Sequence, residues 1–240
     1  MTITINPGMT IGPGVSLTVP FTPLVTDGML LNFDAATYTS GDWVDNANGV
    51  LATPQNNPVW SADNGGTFVL SGTSHFTVPW PIFHPSYTID IWFNLNGAQP
   101  GAACLISDEF TGAPFNFTIL AGGNTLVTGW YTTNWTGQQA YQGAIQTDGS
   151  TWYNIIMSVG ETEYNDYVNG TLSYGPGRYG IEVNGAPNGS SPSQRFFIGH
   201  RWDLPETIQG KIAVVNIYNR ALTDAEVSQN FNHYRTRFGL

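Results

Sequence analysis

Tyr87-Thr-Ile-Asp-Ile-Trp-Phe-Asn-Leu95 alternates without a break. Ile89, Ile91, Phe93 and Leu95 fall on one face, and Thr88, Asp90, Trp92 and Asn94 on the other. Period two with that contrast predicts a strand with one face in a core. Shorter runs of the same kind occupy residues 67–70, 115–120, 152–159, 195–199 and 208–218. Turn chemistry separates them at Asn64-Gly65-Gly66, Gly122-Gly123-Asn124, Asp148-Gly149 and Asn169-Gly170, where residues tolerant of positive φ let the chain reverse. Many strands with no interleaved helices predict an antiparallel sandwich or barrel.

One helix is predicted, at the C-terminus. Thr223 opens a Thr-x-x-Glu capping box with Glu226, and Asp224 suits the positive end of a helix. Val227, Phe231 and Tyr234 follow at helical spacing as a docking stripe, and Gly239 is the natural stop.

Residues 1–26 read as an extended arm and residues 27–240 as one domain. Ile3, Ile5, Ile11, Val15 and Leu17 alternate in places, but Pro7-Gly8, Gly12-Pro13-Gly14 and Pro20 interrupt them. Those breaks prevent a helix and limit any strand to a few residues. Such a segment cannot bury its own apolar side chains. Its complement is either the surface of its own domain or a neighbouring subunit or other protein.

A chain of 240 residues can bury enough surface to need no disulfide or metal staple. The single cysteine, Cys104, has no internal partner and reads as a buried thiol. The 28 Gly and 15 Pro suit many tight turns, and only 10% of residues are charged. All seven basic residues lie from Arg178 onward, whereas the first 177 residues carry 12 of the 17 acids. A duplex-binding protein replaces phosphate counterions with basic groups, so nucleic acid is not an expected partner. No run approaches the length of a membrane helix, and the start has neither a basic n-region nor a long apolar h-region. Synthesis in a cytoplasm is the expectation.

The segments Leu30-Leu-Asn-Phe-Asp34 and Trp43-Val-Asp45, with Asn48-Gly49 after them, resemble the opening of a laminin-G-like, concanavalin A-like domain. Trp152-Tyr153-Asn-Ile-Ile156 followed by Tyr167-Val-Asn169-Gly170 resembles that family's paired central strands. Ile198-Gly199 and the run from Gly210 through Tyr218 to Glu226 resemble its closing strand and helix. The resemblance covers about residues 28–235 and implies an all-β, concanavalin A-like jelly-roll sandwich of two antiparallel sheets. To it this chain adds the arm and one short C-terminal helix. The resemblance implies a domain of a family whose members bind sugars, proteins or nothing known. The ending Gln229-Asn230-Phe231 to Arg235-x-Arg237-Phe238-Gly239, and the Ile-Asn-Pro-Gly style of the arm, are similar to laminin-G-like virion proteins of bacteriophages, especially those of cyanobacteria.

The same fold hosts β-glucanases, which the family resemblance describes as carrying Glu-x-Asp-x-Glu or Glu-x-Asp-x-x-Glu on one strand. A retaining mechanism needs two carboxyl groups about 5–5.5 Å apart. The corresponding strand here is Thr88-Ile-Asp90-Ile-Trp92, which keeps the aspartate and replaces the glutamates. No catalysis is expected. His75, His84, His200 and His233 are scattered, without ligand spacing. Glu161-Thr-Glu163-x-x-Asp166 reads as a solvated edge near a hairpin.

Binding is the more promising chemistry. Trp130, Tyr131 and Trp135 sit near Asn134, Gln138 and Gln139. Rings meet a sugar's C–H face and amides take its hydroxyls; ordinary sheet packing is the competing account. Trp92 and Asp90 form a second candidate if their strand face is open. Calcium needs oxygen ligands. Asp34 matches an acidic position that the family resemblance implies, but Ala213 stands where a second aspartate is common, so no cofactor is firmly expected. Four Asn-x-Ser/Thr sequons, at Asn116, Asn134, Asn169 and Asn188, matter only in a secreted eukaryotic protein. The leading expectation is a non-enzymatic virion protein, either capsid decoration or a tail or fibre component. It would assemble through its arm with other virion proteins and form a homo-oligomer. The alternative is a lectin-like module that binds a host-surface glycan.

Overall fold

A computed structural model describes residues 22–79, 86–101, 103–108, 118–121, 125–130, 138–160, 163–178, 195–201 and 207–240. Among these residues sixteen strands run in order: β1 Met29–Asp34, β2 Trp43–Val44, β3 Leu51–Gln55, β4 Val59–Ser61, β5 Thr67–Leu70, β6 His75–Pro79, β7 Tyr87–Asn96 and β8 Cys104–Asp108. They continue as β9 Thr118–Leu120, β10 Thr125–Trp130, β11 Gln138–Ala144, β12 Asp148–Val159, β13 Glu163–Val168, β14 Thr171–Arg178, β15 Arg195–Ile198 and β16 Gly210–Tyr218. Among the described residues there are also 3-10 turns at Ala35–Thr37 and Asp63–Gly65, and the order ends in one helix, α1 Asp224–Tyr234, and a 3-10 turn at Arg235–Phe238.

The first sheet runs β14-β13-β12-β7-β16-β5-β4, and the second β11-β10-β9-β8-β15-β6-β3-β2. Strand β1 also joins the first sheet: it pairs with residues 214–218 of β16, while β5 pairs with residues 210–212 of the same edge. Every named pairing is antiparallel. Inner faces meet in one apolar core that holds Ile89, Ile91, Phe93 and Leu95 of β7 against Phe76, Val78, Phe196 and Ile198 of the second sheet. The expected two-sheet sandwich is therefore present. Its long central strand is the one whose alternation predicts it.

The Asn169-Gly170 turn between β13 and β14 takes left-handed φ at both residues, 49° and 71°, as a two-residue hairpin requires. A Cβ on Gly170 would lie 2.6 Å from the Phe231 ring, so the bare turn is what lets α1 lie close over this hairpin. Asp148-Gly149, read as a turn, falls inside β12, where the register with β7 breaks between Asp148 and Trp152. Asp166 corrects the reading of a solvated acidic edge. It is fully buried, and its Oδ2 accepts a hydrogen bond from Thr128 Oγ1 of the opposite sheet at 2.5 Å.

The helix begins where the capping box places it. Thr223 Oγ1 accepts the Glu226 N–H, and Glu226 Oε2 accepts the Thr223 N–H at 2.9 Å. Val227 and Tyr234 of the expected stripe are buried and Phe231 is partly so: Val227 joins one apolar cluster with Tyr218 and Leu222. Tyr234 and Phe231 join another, with Trp92 and Trp152. Gly239 takes φ 76° and ends the 3-10 turn.

Candidate functional site

The outer face of the first sheet is closed over its central strands. Strand β7 is buried along both faces as far as Leu95: α1 and the 3-10 turn lie over Asp90 and Trp92, Thr88 Oγ1 bonds the Arg220 carbonyl and the Leu222 N–H ahead of the helix, and Asn94 Nδ2 donates to the Thr151 carbonyl. Trp92 stacks on Phe238 at 4.7 Å and on Phe231 at 5.7 Å, and Tyr234 meets it edge-on at 5.9 Å. Residues 22–26, the end of the segment read as arm, lie along α1. The Val25 N–H donates to Asn230 Oδ1 at 3.0 Å, and Gln229 Nε2 donates to the Pro23 carbonyl at 2.9 Å.

Asp90 sits at the centre of this interface and is fully buried. Asn154, Asn216 and Asn230 donate Nδ2 bonds to its carboxylate at 2.7, 3.0 and 3.4 Å. Burial pushes its pKa up to about 6, and the three amides pull the other way without winning. Asn32 extends the network, donating to Asn216 Oδ1 at 2.6 Å. These groups hold five elements together, and all of them but Asn32 are fully buried. The expectation that Trp92 and Asp90 form a second sugar-binding face is thus corrected: the alternation reports a second face, and the helix covers it.

Of the leading candidates, Trp130 ends β10, where its backbone pairs with Gln138. Its side chain, together with Tyr131, Asn134 and Trp135, lies outside the described residues, as do Ile3, Ile5, Ile11, Val15 and Leu17 of the arm.

The residues present do not fit calcium at Asp34. Its Oδ1 accepts the Ala36 N–H at 2.9 Å and pairs with Arg237 Nη1 at 2.7 Å. Ala213, buried among apolar side chains, offers no ligand. Among the described residues, no three His, Cys, Asp or Glu side chains cluster to hold a metal ion.

The outer face of the second sheet is different, since no described helix crosses it. Trp43, Ala52, Phe76, Val78, Phe196 and Ile198 point into the core, so their alternates Val44, Leu51, Thr53, His75, Thr77, Arg195 and Phe197 point outward. Register aligns Thr53 with Thr77, Thr77 with Phe197, and Phe197 with Ser107 in one row across four strands. Gln55 lies beside His75. His75 stacks on His200 with centroids 4.2 Å apart and planes within 16°. Phe197 meets His75 edge-on at 5.8 Å and His200 at 5.6 Å. The Arg195 guanidinium lies over the Phe197 ring at 5.6 Å.

Burial lowers the His75 pKa below its ordinary value. A hydrogen bond to the Thr73 carbonyl opposes this, and the Arg195 charge adds to the lowering. His75 is therefore a neutral ring at neutral pH, suited to stacking. Thr53, Thr77 and Gln55 beside the rings supply hydroxyl and amide groups, and Val44 and Leu51 extend the face as exposed apolar positions (48% and 45%). Sequence reasoning set His75 and His200 aside as scattered. They come from segments far apart in the chain and meet only because β6 pairs with β15.

Residues 70–228 match the family model described as the concanavalin A-like lectin/glucanases superfamily. No curated protein matches the chain. Among solved structures, the chain is similar to domain 4 of an extracellular arabinanase from Geobacillus stearothermophilus in complex with arabinotriose. Identity is 15% and the TM-score 0.65, covering 84% of this chain and 97% of that one. It is also similar to botulinum neurotoxin type C, whose cell entry depends on interaction with two ganglioside molecules (16% identity, TM-score 0.67, 86% of this chain and 51% of that one). A third similar structure is Trypanosoma rangeli sialidase in complex with 2,3-difluorosialic acid (16% identity, TM-score 0.65, 92% of this chain and 36% of that one). The chain thus spans about half of the toxin chain and about a third of the sialidase chain. At these identities the likeness is one of fold.

Proposed function

The chain belongs to the concanavalin A-like lectin/glucanases superfamily, and from that premise we propose that it is a non-catalytic carbohydrate-binding module whose ligand lies on the outer face of the second sheet. One observation carries the reading. The stacked His75–His200 pair, with the edge of the largely buried Phe197 beside it, forms a ring platform, flanked by Thr53, Thr77 and Gln55 on a sheet face that no described helix crosses. Rings against a sugar's C–H face and a few convergent polar groups are what glycan recognition needs. The arabinanase domain, solved with arabinotriose, and the neurotoxin, whose cell entry depends on gangliosides, support the same class.

The non-catalytic half of the proposal rests on β7. Thr88 and Trp92 flank Asp90 where a glucanase strand carries carboxylates, and the whole row is buried beneath α1 and the segment that leads into it. The particle-building reading draws on the arm, most of which lies outside the described residues, and no comparison supports it. Adhesion to a host-surface glycan is the form of it that this face would serve.

The test is a glycan array probed with the wild type, Thr77→Arg, and Trp130→Ala. Thr77→Arg sets a long charged side chain on the outer row and leaves the core untouched. Binding by the wild type that Thr77→Arg abolishes and Trp130→Ala spares supports the proposal. Binding lost only in Trp130→Ala moves the site to the β10–β11 end of the sheet. No binding to any glycan removes the reading.

A further inference from the structure

Strand β4 ends the first sheet, and its two faces differ. Val59 pairs with Val69 and Trp60 with Phe68, so Trp60 shares the inner face with Phe68 of the core and Val59 points the other way. Trp60 is nevertheless 40% exposed, and it is the one exposed aromatic side chain among the described residues. Its place is fixed. The indole N–H donates to the Ala35 carbonyl at 2.9 Å, which satisfies the polar end of the ring. Tyr38 stands beside it, with centroids 6.3 Å apart and planes within 32°. Tyr38 is held in turn by edge-on contact with Phe68 at 4.8 Å and by its hydroxyl, which donates to the Gly41 carbonyl at 3.3 Å. Rings already fixed by their surroundings lose little freedom when a ligand covers them.

The flanks are polar and uncharged. Residues 35–41 and 56–61, which supply the rings, contain no Asp, Glu, Lys, Arg or His. Thr39 and Ser40 follow Tyr38, and Asn57 lies in the turn that leads into β4; all three are exposed. That turn is held in shape: Asn56 and Asn57 both take left-handed φ, 53° and 63°, and Asn56 Nδ2 donates to the Thr73 carbonyl at 3.1 Å. The Asn57 amide makes no hydrogen bond among the described residues.

We infer that Trp60 and Tyr38 form a second sugar-binding site, apart from the outer face of the second sheet, that takes one pyranose ring of a neutral glycan. The sugar's C–H face lies on the indole, and Thr39, Ser40 and Asn57 serve its hydroxyls. A protein partner buries a broad patch with an apolar centre. Strand β4 offers none on this side, because Val59, its other exposed apolar side chain, faces away. An acidic or sulfated glycan needs a cation, and neither stretch carries one.

The probes are lactose, cellotriose, xylotriose and mannotriose. Each is titrated to about 50 mM, well above a millimolar Kd, into the isotope-labelled full chain as wild type, Thr77→Arg, Trp60→Ala and Trp60→Tyr. Amide and indole cross-peaks are followed, and the Trp60 indole peak is the one lost in Trp60→Tyr. The expected result is that at least one sugar shifts the Trp60 indole peak and the Tyr38 and Ser61 amides, in wild type and Thr77→Arg alike. Its Kd there is on the order of 1 mM, the strength that one stacked ring allows. Trp60→Ala weakens that binding about tenfold or more, and Trp60→Tyr restores part of it. Peaks of Trp60, Tyr38 and Ser61 that no sugar moves overturn the inference, as does a response that Trp60→Ala leaves unchanged or that Thr77→Arg abolishes. A Trp60 shift that follows protein concentration without sugar assigns the ring to a second copy of the chain and also overturns it. Sugar shifts confined to the outer face of the second sheet overturn this inference alone. Shifts confined to Trp60 and its neighbours support it and overturn the outer-face site instead.

Discussion

Trp92 of β7 and Phe238 of the C-terminal 3-10 turn lie ring on ring, with centroids 4.7 Å apart and planes within 21°. Phe238 also meets Trp152 at 4.5 Å, so the last turn of the chain seals two tryptophans of the first sheet. Removing a buried Phe side chain costs about 3–5 kcal/mol. Phe238→Ala should lower Tm and shift tryptophan emission to the red in the folded state. A variant with wild-type Tm and emission would show that the C-terminal turn does not seal this face.

The buried carboxylate at the centre of the same interface gives a pH signature. Asp90 has a pKa of about 6 in the folded protein against 3.8 for a free side chain. The native state therefore binds a proton that the unfolded state does not between those values, and stability from this group rises as pH falls through about 6 toward 4. Asp90→Asn keeps the shape but offers one acceptor oxygen to three amide donors, at a cost of about 1–3 kcal/mol for each donor left unpaired. Urea denaturation should find the variant less stable at pH 7. The gap to wild type should widen at pH 5. Parallel profiles for the two proteins would contradict the assignment.

His75 acts with the opposite sign. Its pKa lies below the ordinary 6.5 in the folded state because the ring is partly buried, so its contribution is present above 6.5 and is lost as pH falls below that value. His75→Gln should flatten the acid-side loss of stability near pH 6 in the same urea experiment. An unchanged profile would remove His75 as its source.

Gly210 opens β16 against β7. A Cβ there would lie 2.1 Å from the Asn94 carbonyl oxygen, and backbone cannot yield as a flexible side chain does. Gly210→Ala should destabilise by about 1–3 kcal/mol or more, the range for overpacking, as read by the urea midpoint. Tolerance of the alanine would mean that β7 and β16 are spaced more widely at this end.

Residues 22–26 separate two deletions. Removing residues 1–26 strips Val25, whose N–H bonds to Asn230 and whose carbonyl accepts the Tyr218 hydroxyl at 3.0 Å, whereas removing residues 1–21 leaves both bonds. The longer deletion should therefore have the lower Tm. Equal values for the two would show that this segment does not secure α1.

Much of this fold is written in local pattern. The alternation of residues 87–95 declares the central strand, and Thr223 with Glu226 declares the start of α1, because both signals lie within one element. What α1 covers is not written locally. Thr88, Asp90 and Asn94 look like a solvated strand face, since a buried polar group satisfied by other polar groups has the same composition as an exposed one. Asn154, Asn216 and Asn230, which make the difference, come from three other elements. The ring platform hides for the same reason: His75 and His200 lie far apart in sequence and join through strand pairing. Asp166 reads as an edge acid until Thr128, from the other sheet, is placed opposite it.

The central claim, that sugar is bound on the outer face of the second sheet, is tested most directly by mapping amide chemical-shift changes on titrating the isotope-labelled chain with a glycan that the array identifies. The account predicts the largest changes along one patch, at Thr53, His75, Thr77, Arg195 and Phe197, with α1 silent. Changes centred on residues 125–144 or on α1, with β6 and β15 unmoved, would contradict it.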